Sequence, residues 1–130
     1  MKAIKYIVFG IIITSILYAF KPTDDVETDW AKCVEKYKAT WGDPCMECTY
    51  NYDIFQVFMK NVSAENVDLF VAVQESNKSW KCYMFEKLIP NDTIVAHACK
   101  GTGKYLKWVR KAGDRETSFP TCDEVNKDYK

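Results

Sequence analysis

Histidine is nearly missing from this 130-residue chain, in which His97 stands alone. A Ser-His-Asp hydrolase would have to use that one ring, and zinc sites built from two or three imidazoles are excluded. The nucleophile elbow G-x-S-x-G is absent as well. Glycine and proline are scarce, at five and four residues, and there is no internal repeat or low-complexity tract. An excess of one charge is also lacking. The 18 basic and 18 acidic residues cancel, which removes the simplest electrostatic argument for a nucleic-acid partner. With 48% hydrophobic and 15% aromatic residues, the composition is that of one globular domain and not of a disordered chain.

Long apolar runs are limited to the N-terminus. Lys2 and Lys5 precede an uncharged stretch from Tyr6 to Phe20, after which Lys21-Pro22-Thr23-Asp24-Asp25 turns polar. Basic end, apolar middle and polar continuation are the order of a secretory signal, and 15 residues fall short of the roughly 20 that cross a bilayer. The expected division is a signal peptide over 1–19, an acidic lead-in over 20–28 and a single β-rich domain over 29–130. Cleavage after Ala19 is expected, with an uncleaved anchor as the alternative because Leu17 is larger than such sites prefer. The product is then secreted or periplasmic, with no membrane span left after cleavage.

All six cysteines, Cys33, Cys45, Cys48, Cys82, Cys99 and Cys122, lie beyond the signal. An even number in an exported chain reads as up to three disulfides, whose connectivity sequence does not choose.

Trp30, Cys33, Val34, Tyr37 and Trp41 recur at helical offsets, with Thr28 or Asp29 available as a cap and Gly42-Asp43-Pro44 as a stop. That spacing predicts a helix over Asp29–Thr40. Beyond Cys48 the texture becomes β-like, with candidate strands Tyr50–Lys60, Val67–Gln74, Trp80–Lys87, Thr93–Cys99 and Tyr105–Arg110, and a weaker one over Glu116–Phe119. Val67, Leu69, Val71 and Val73 share one face, which marks a central strand. Asp123–Lys130 reads as a short helix or a tail. The fold class is therefore mainly β: a small antiparallel β-sandwich or meander with one N-terminal α-helix, stapled by disulfides.

Cys45-Met46-Glu47-Cys48 is a C-x-x-C motif. A redox role would need a helix N-terminus in a βαβ setting, and a zinc site would need a second close pair. Neither context is present, so these cysteines read as staples that pair elsewhere, Cys33 being the natural partner. Gly101-Thr102-Gly103-Lys104 resembles part of a phosphate loop, but Ala98 and Tyr105 occupy places the full pattern reserves for Gly and Ser or Thr. It reads as a hairpin loop joining the strands on either side.

From Lys100 to Arg115 six basic residues face only Asp114, whereas Asp24–Asp53 holds eight acidic and three basic residues. Strand alternation puts Tyr105, Lys107 and Val109 on one face of this basic segment and Leu106, Trp108, Lys104 and Arg110 on the other. Tyr105, Lys107, Lys111 and Lys104 are the candidate ligand contacts, by charge and by stacking. Trp30, Trp80 and Trp108 are expected in the core, with Tyr50, Tyr52, Tyr83 and Tyr105 as surface platforms. His97, between two alanines, reads as a satisfied strand histidine. Asn61, Asn77 and Asn91 each begin a glycosylation acceptor triplet in an expected turn.

These observations point to an exported binding or interaction module with no catalytic residues, metal or cofactor, whose partner is a protein or an anionic glycan. The alternative is a secreted inhibitor or immunity-type protein, which would project a loop such as Lys100–Lys104. A hydrolase, which would need a deep polar cleft around His97, ranks third.

Overall fold

The computed structural model describes residues 28–45, 47–48 and 52–129. The expected signal, all of the lead-in but Thr28, and Tyr50 lie outside the described residues. The chain forms two three-stranded antiparallel sheets. One has the order β1–β2–β5, from β1 (Val34–Trp41), β2 (Phe55–Asn61) and β5 (Thr93–Ala98). The other has the order β4–β3–β6, from β3 (Val67–Glu75), β4 (Trp80–Leu88) and β6 (Gly101–Lys111). Strands consecutive in the chain pair only as β1–β2 and β3–β4, so the topology is not a simple meander.

The sheets share a core. Val34, Val57, Met59 and Ala96 of one sheet and Val67, Leu69, Val71 and Val73 of the other are all completely buried. The alternating set on β3 thus does what its pattern predicts, at the centre of its sheet. The opposite face of β3 is buried too, because the C-terminal segment covers it. Phe70, Ala72, Trp80 and Val125 form a second apolar cluster, joined by Phe119, Leu106 and Trp108.

The expected N-terminal helix is not formed. Trp30–Cys33 make one 3₁₀ turn, and the chain then extends as β1. Helix propensity is a weak prior, and a strand rich in β-branched and aromatic residues gains a full ladder against β2. A β-bulge also interrupts the strand pattern. Register shifts between Lys36 and Lys38, so the residues paired with the buried side of β2 are Val34, Lys36, Ala39 and Trp41, and the period of two is broken. Two of the supposed core residues, Tyr37 and Trp41, are more than half exposed. The bulge and the lysines also protect an edge strand from pairing with another chain.

Among the described residues the α-helix is C-terminal instead, α1 (Cys122–Asp128). The Thr121 side chain caps it by accepting from Glu124 N at 3.2 Å. Asn126 takes the place of a missing strand: its Oδ1 accepts from Trp80 N at 2.7 Å and its Nδ2 donates to Trp80 O at 3.1 Å. Glu116–Phe119 is irregular, not a strand.

Asp68 ties this layer down. Nearly buried on β3, its carboxylate accepts from Lys87 N at 3.0 Å, Arg110 Nε at 3.1 Å and Gly113 N at 3.2 Å. Arg110 in turn donates to Thr117 O at 2.7 Å and lies 4.4 Å from the Phe119 ring centroid.

Two disulfides are present, Cys48–Cys99 and Cys82–Cys122. They are the mark of an oxidising compartment. Cys33 and Cys45 are free thiols, and Cys33 is buried between the sheets, so the expected pairing of Cys33 with the C-x-x-C motif is not made. No helix among the described residues is long and apolar enough to cross a membrane.

Candidate functional site

The basic segment is β6, an edge strand whose inner neighbour is β3. Register places Tyr105 opposite Val73, Lys107 opposite Val71 and Val109 opposite Leu69. All three lie on the face turned toward the other sheet, as alternation predicts. Lys107 lies deep. Its ammonium donates to Ala31 O at 2.8 Å and to Val34 O, and burial pulls its pKa down despite the nearby Glu35 and Asp29. It holds the 3₁₀ turn and the start of β1 against β6. Lys104 and Lys111 are exposed near opposite ends of the strand. Seven residues of extended chain separate them, about 23 Å.

Where β6 begins, glycine sets the surface. Gly101 passes so close to Phe55 that a Cβ would lie 2.5 Å from the Phe55 Cβ. At Gly103, φ is +89° and a Cβ would meet the Trp41 indole at 2.9 Å. Only glycine permits that conformation and that approach together. The segment 101–104 is therefore packed down as the first turn of a strand. Cys99 and Lys100 make the crossing from one sheet to the other, so 101–104 is not the loop of a β5–β6 hairpin.

The result is an aromatic and basic surface. The Trp41 indole, half exposed, lies against Gly103. Lys36 reaches across from β1, its Nζ 5.7 Å from the Tyr105 ring centroid. Beside them a shallow depression of about 740 Å³ is lined by Lys104, Tyr105, Lys107 and Leu106, with Trp80 and Tyr129 at its other wall. Of the four sequence candidates, this surface unites Lys104, Tyr105 and Lys107 and leaves out Lys111. Trp41 and Lys36 were missed, because a helix would have turned Trp41 into the core. The bulge that brings Trp41 to the same side of β1 as Lys36 has no signature in the chain.

A second cluster surrounds the Cys48–Cys99 disulfide. Phe55–Asn61 pairs with β5 so that His97 lies opposite Gln56. The imidazole is buried and satisfied: Nδ1 lies 3.3 Å from Tyr83 Oη, and Nε2 lies 3.4 Å from Lys81 Nζ and 3.3 Å from Glu47 Oε2. Tyr83 Oη also donates to His97 O at 2.7 Å. Burial, then the Lys81 charge, pushes the His97 pKa below its ordinary value, against the pull of Glu47. The ring is the satisfied strand histidine expected. Cys45, half-buried, completes the cluster.

No family model, curated protein or solved structure matches the chain. Function therefore rests on these two surfaces alone.

Other expectations sort by burial. Trp80 is buried, whereas Trp30 and Trp108 are only partly so. Tyr52 is fully at the surface, and Tyr83 and Tyr105 pack against the core from its rim. Asn77 and Asn91 are exposed in turns. Asn61 ends β2, fully buried, its Nδ2 donating to Glu65 O at 2.8 Å and Leu88 O at 2.9 Å. That amide nitrogen is occupied in the folded protein.

Proposed function

We propose that this protein is an exported binding module, and that its ligand is an anionic glycan held on the surface of Trp41, Lys36, Tyr105 and Lys104. The observation that carries this reading is the half-exposed indole of Trp41 laid against Gly103 at the rim of a lysine-bearing depression. Aromatic faces stack on sugar rings, and ammonium groups bind sulfate or carboxylate substituents. Two lysines there, Lys36 and Lys104, are exposed and carry no salt bridge among the described residues. The inhibitor reading is weaker because Lys100–Lys104 does not project: Gly101 and Gly103 are packed onto Phe55 and Trp41. A hydrolase is weaker still, since the imidazole of His97 is buried among Tyr83, Lys81 and Glu47.

Titration calorimetry against sulfated and uronic-acid oligosaccharides, with their neutral counterparts, tests the reading. Anionic sugars are expected to bind more tightly, with affinity falling as salt rises. Trp41→Ala and Lys104→Glu should each weaken binding by about tenfold, corresponding to roughly 1.4 kcal/mol, while Lys111→Glu should leave it unchanged. Equal binding of neutral and anionic sugars, or no binding of any at about millimolar concentration, would overturn it.

A further inference from the structure

The Cys45–Cys48 motif does more than supply a staple. We propose that Cys45, Cys48, Cys99 and His97 form a thiol–disulfide exchange site in which Cys45 and Cys99 compete for Cys48. This inference is independent of the glycan surface. The sulfurs of Cys45 and Cys48 and a ring nitrogen of His97 all lie within 4.8 Å of one another. Cys48 is at the same time bonded to Cys99. A free thiol, a disulfide and a proton acceptor thus share one spot. The other disulfide has no such neighbour: Cys33, the only other free thiol, is buried between the sheets, whereas Cys82–Cys122 belongs to the outer layer.

The exchange needs no outside reagent. Cys45 gives its proton to His97, and the Cys45 thiolate attacks Cys48 Sγ. The Cys48–Cys99 bond breaks, and Cys99 leaves with the bonding pair as a thiolate that takes up a proton. One thiol and one disulfide exist before and after. The chain is already shaped for the product, since Cys45 and Cys48 are bridge partners and Cys48 N donates to Cys45 O at 3.3 Å. Cys99, once released, lines an open cavity of about 520 Å³ with Glu47, Glu75, Ser76 and Lys100. There its thiolate is accessible to a disulfide substrate, either a small polar one or one displayed on another protein's surface. Release would also unfasten the segment that carries Glu47 from the end of β5.

Disulfide mapping tests this directly. The purified protein is held at pH about 8 without reductant, quenched in acid at intervals, alkylated with N-ethylmaleimide and digested unreduced. The expected result is two linkages, Cys48–Cys99 and Cys45–Cys48, with label divided between Cys45 and Cys99. Cys45→Ser should give only the first linkage and Cys99→Ser only the second. His97→Gln should slow interconversion by up to the order of 100-fold, the range of a general base. The Cys82–Cys122 linkage in each variant reports that the fold is retained. A wild-type protein that shows only Cys48–Cys99 at every time point, or a folded Cys99→Ser variant in which Cys45 and Cys48 are both alkylated, overturns the proposal.

Discussion

At the scale of single residues, two buried ionisable groups govern how stability responds to acid. Burial alone would raise the pKa of Asp68, but the Lys87 and Gly113 amides and the Arg110 guanidinium outweigh it and hold it below the ordinary carboxylate value. A carboxylate depressed in the fold contributes stability that is complete above about pH 5 and lost as pH falls through the folded value. Asp68→Asn should cost about 2–3 kcal/mol at neutral pH, because Arg110 loses its partner. Urea midpoints for the two proteins should converge as pH falls through that folded value. His97 works the other way. Its pKa is lowered in the fold, so the unfolded chain binds the proton more readily, and stability drops as pH falls from about 7 toward the folded value. It is the sole histidine. The slope in that window should therefore vanish in His97→Gln, and a slope of equal size in the variant would contradict the assignment. The sequence marked His97 as a strand residue with satisfied partners, but nothing in it placed Lys81, Tyr83 and Glu47 around the ring. Those contacts join three separate segments.

At the scale of elements, strand positions were readable where alternation or β-rich composition was unbroken. Val67–Gln74 and Trp80–Lys87 differ from the observed strands by one residue at one end. Reading failed at β1, where apolar residues at helical offsets outweighed a period of two that a bulge interrupts; at the C-terminus the short helix was one of two readings of Asp123–Lys130, and it forms as Cys122–Asp128, held by tertiary contacts more than by propensity. Removing the Cys82–Cys122 bond by changing both residues to serine should cost about 2–4 kcal/mol. The loss should appear first as exposure of Trp80, whose Nε1 donates to Tyr129 O at 2.8 Å, so its fluorescence should shift to the red before global unfolding. Two glycines of left-handed backbone, one near the start of β6 and one just past its end, give a graded test. Gly113→Ala, at φ +78° with open space around it, should cost about 1 kcal/mol, the price of a left-handed backbone alone. Gly103→Ala adds contact with the Trp41 indole and should cost more. Equal losses would mean that Trp41 does not rest where the glycan surface requires it.

At the scale of the whole molecule, two sheets, a buried β3 and two cross-links make a rigid scaffold with one aromatic edge and one sulfur cluster. The mainly β class and the use of disulfides were legible in the chain. Connectivity was not, because pairing depends on which strand ends the topology brings together, and sequence spacing carries no record of that. Four of the six cysteines are bonded in pairs, and exchange within the Cys45, Cys48 and Cys99 cluster leaves that number unchanged. Alkylation of the native protein after unfolding in urea, without reductant, and again after reduction, counts them by intact mass. Two labels before reduction and six after are expected, matching free Cys33 and Cys45 and the two disulfides. Six labels before reduction would contradict the account and return the cysteines to metal or redox chemistry.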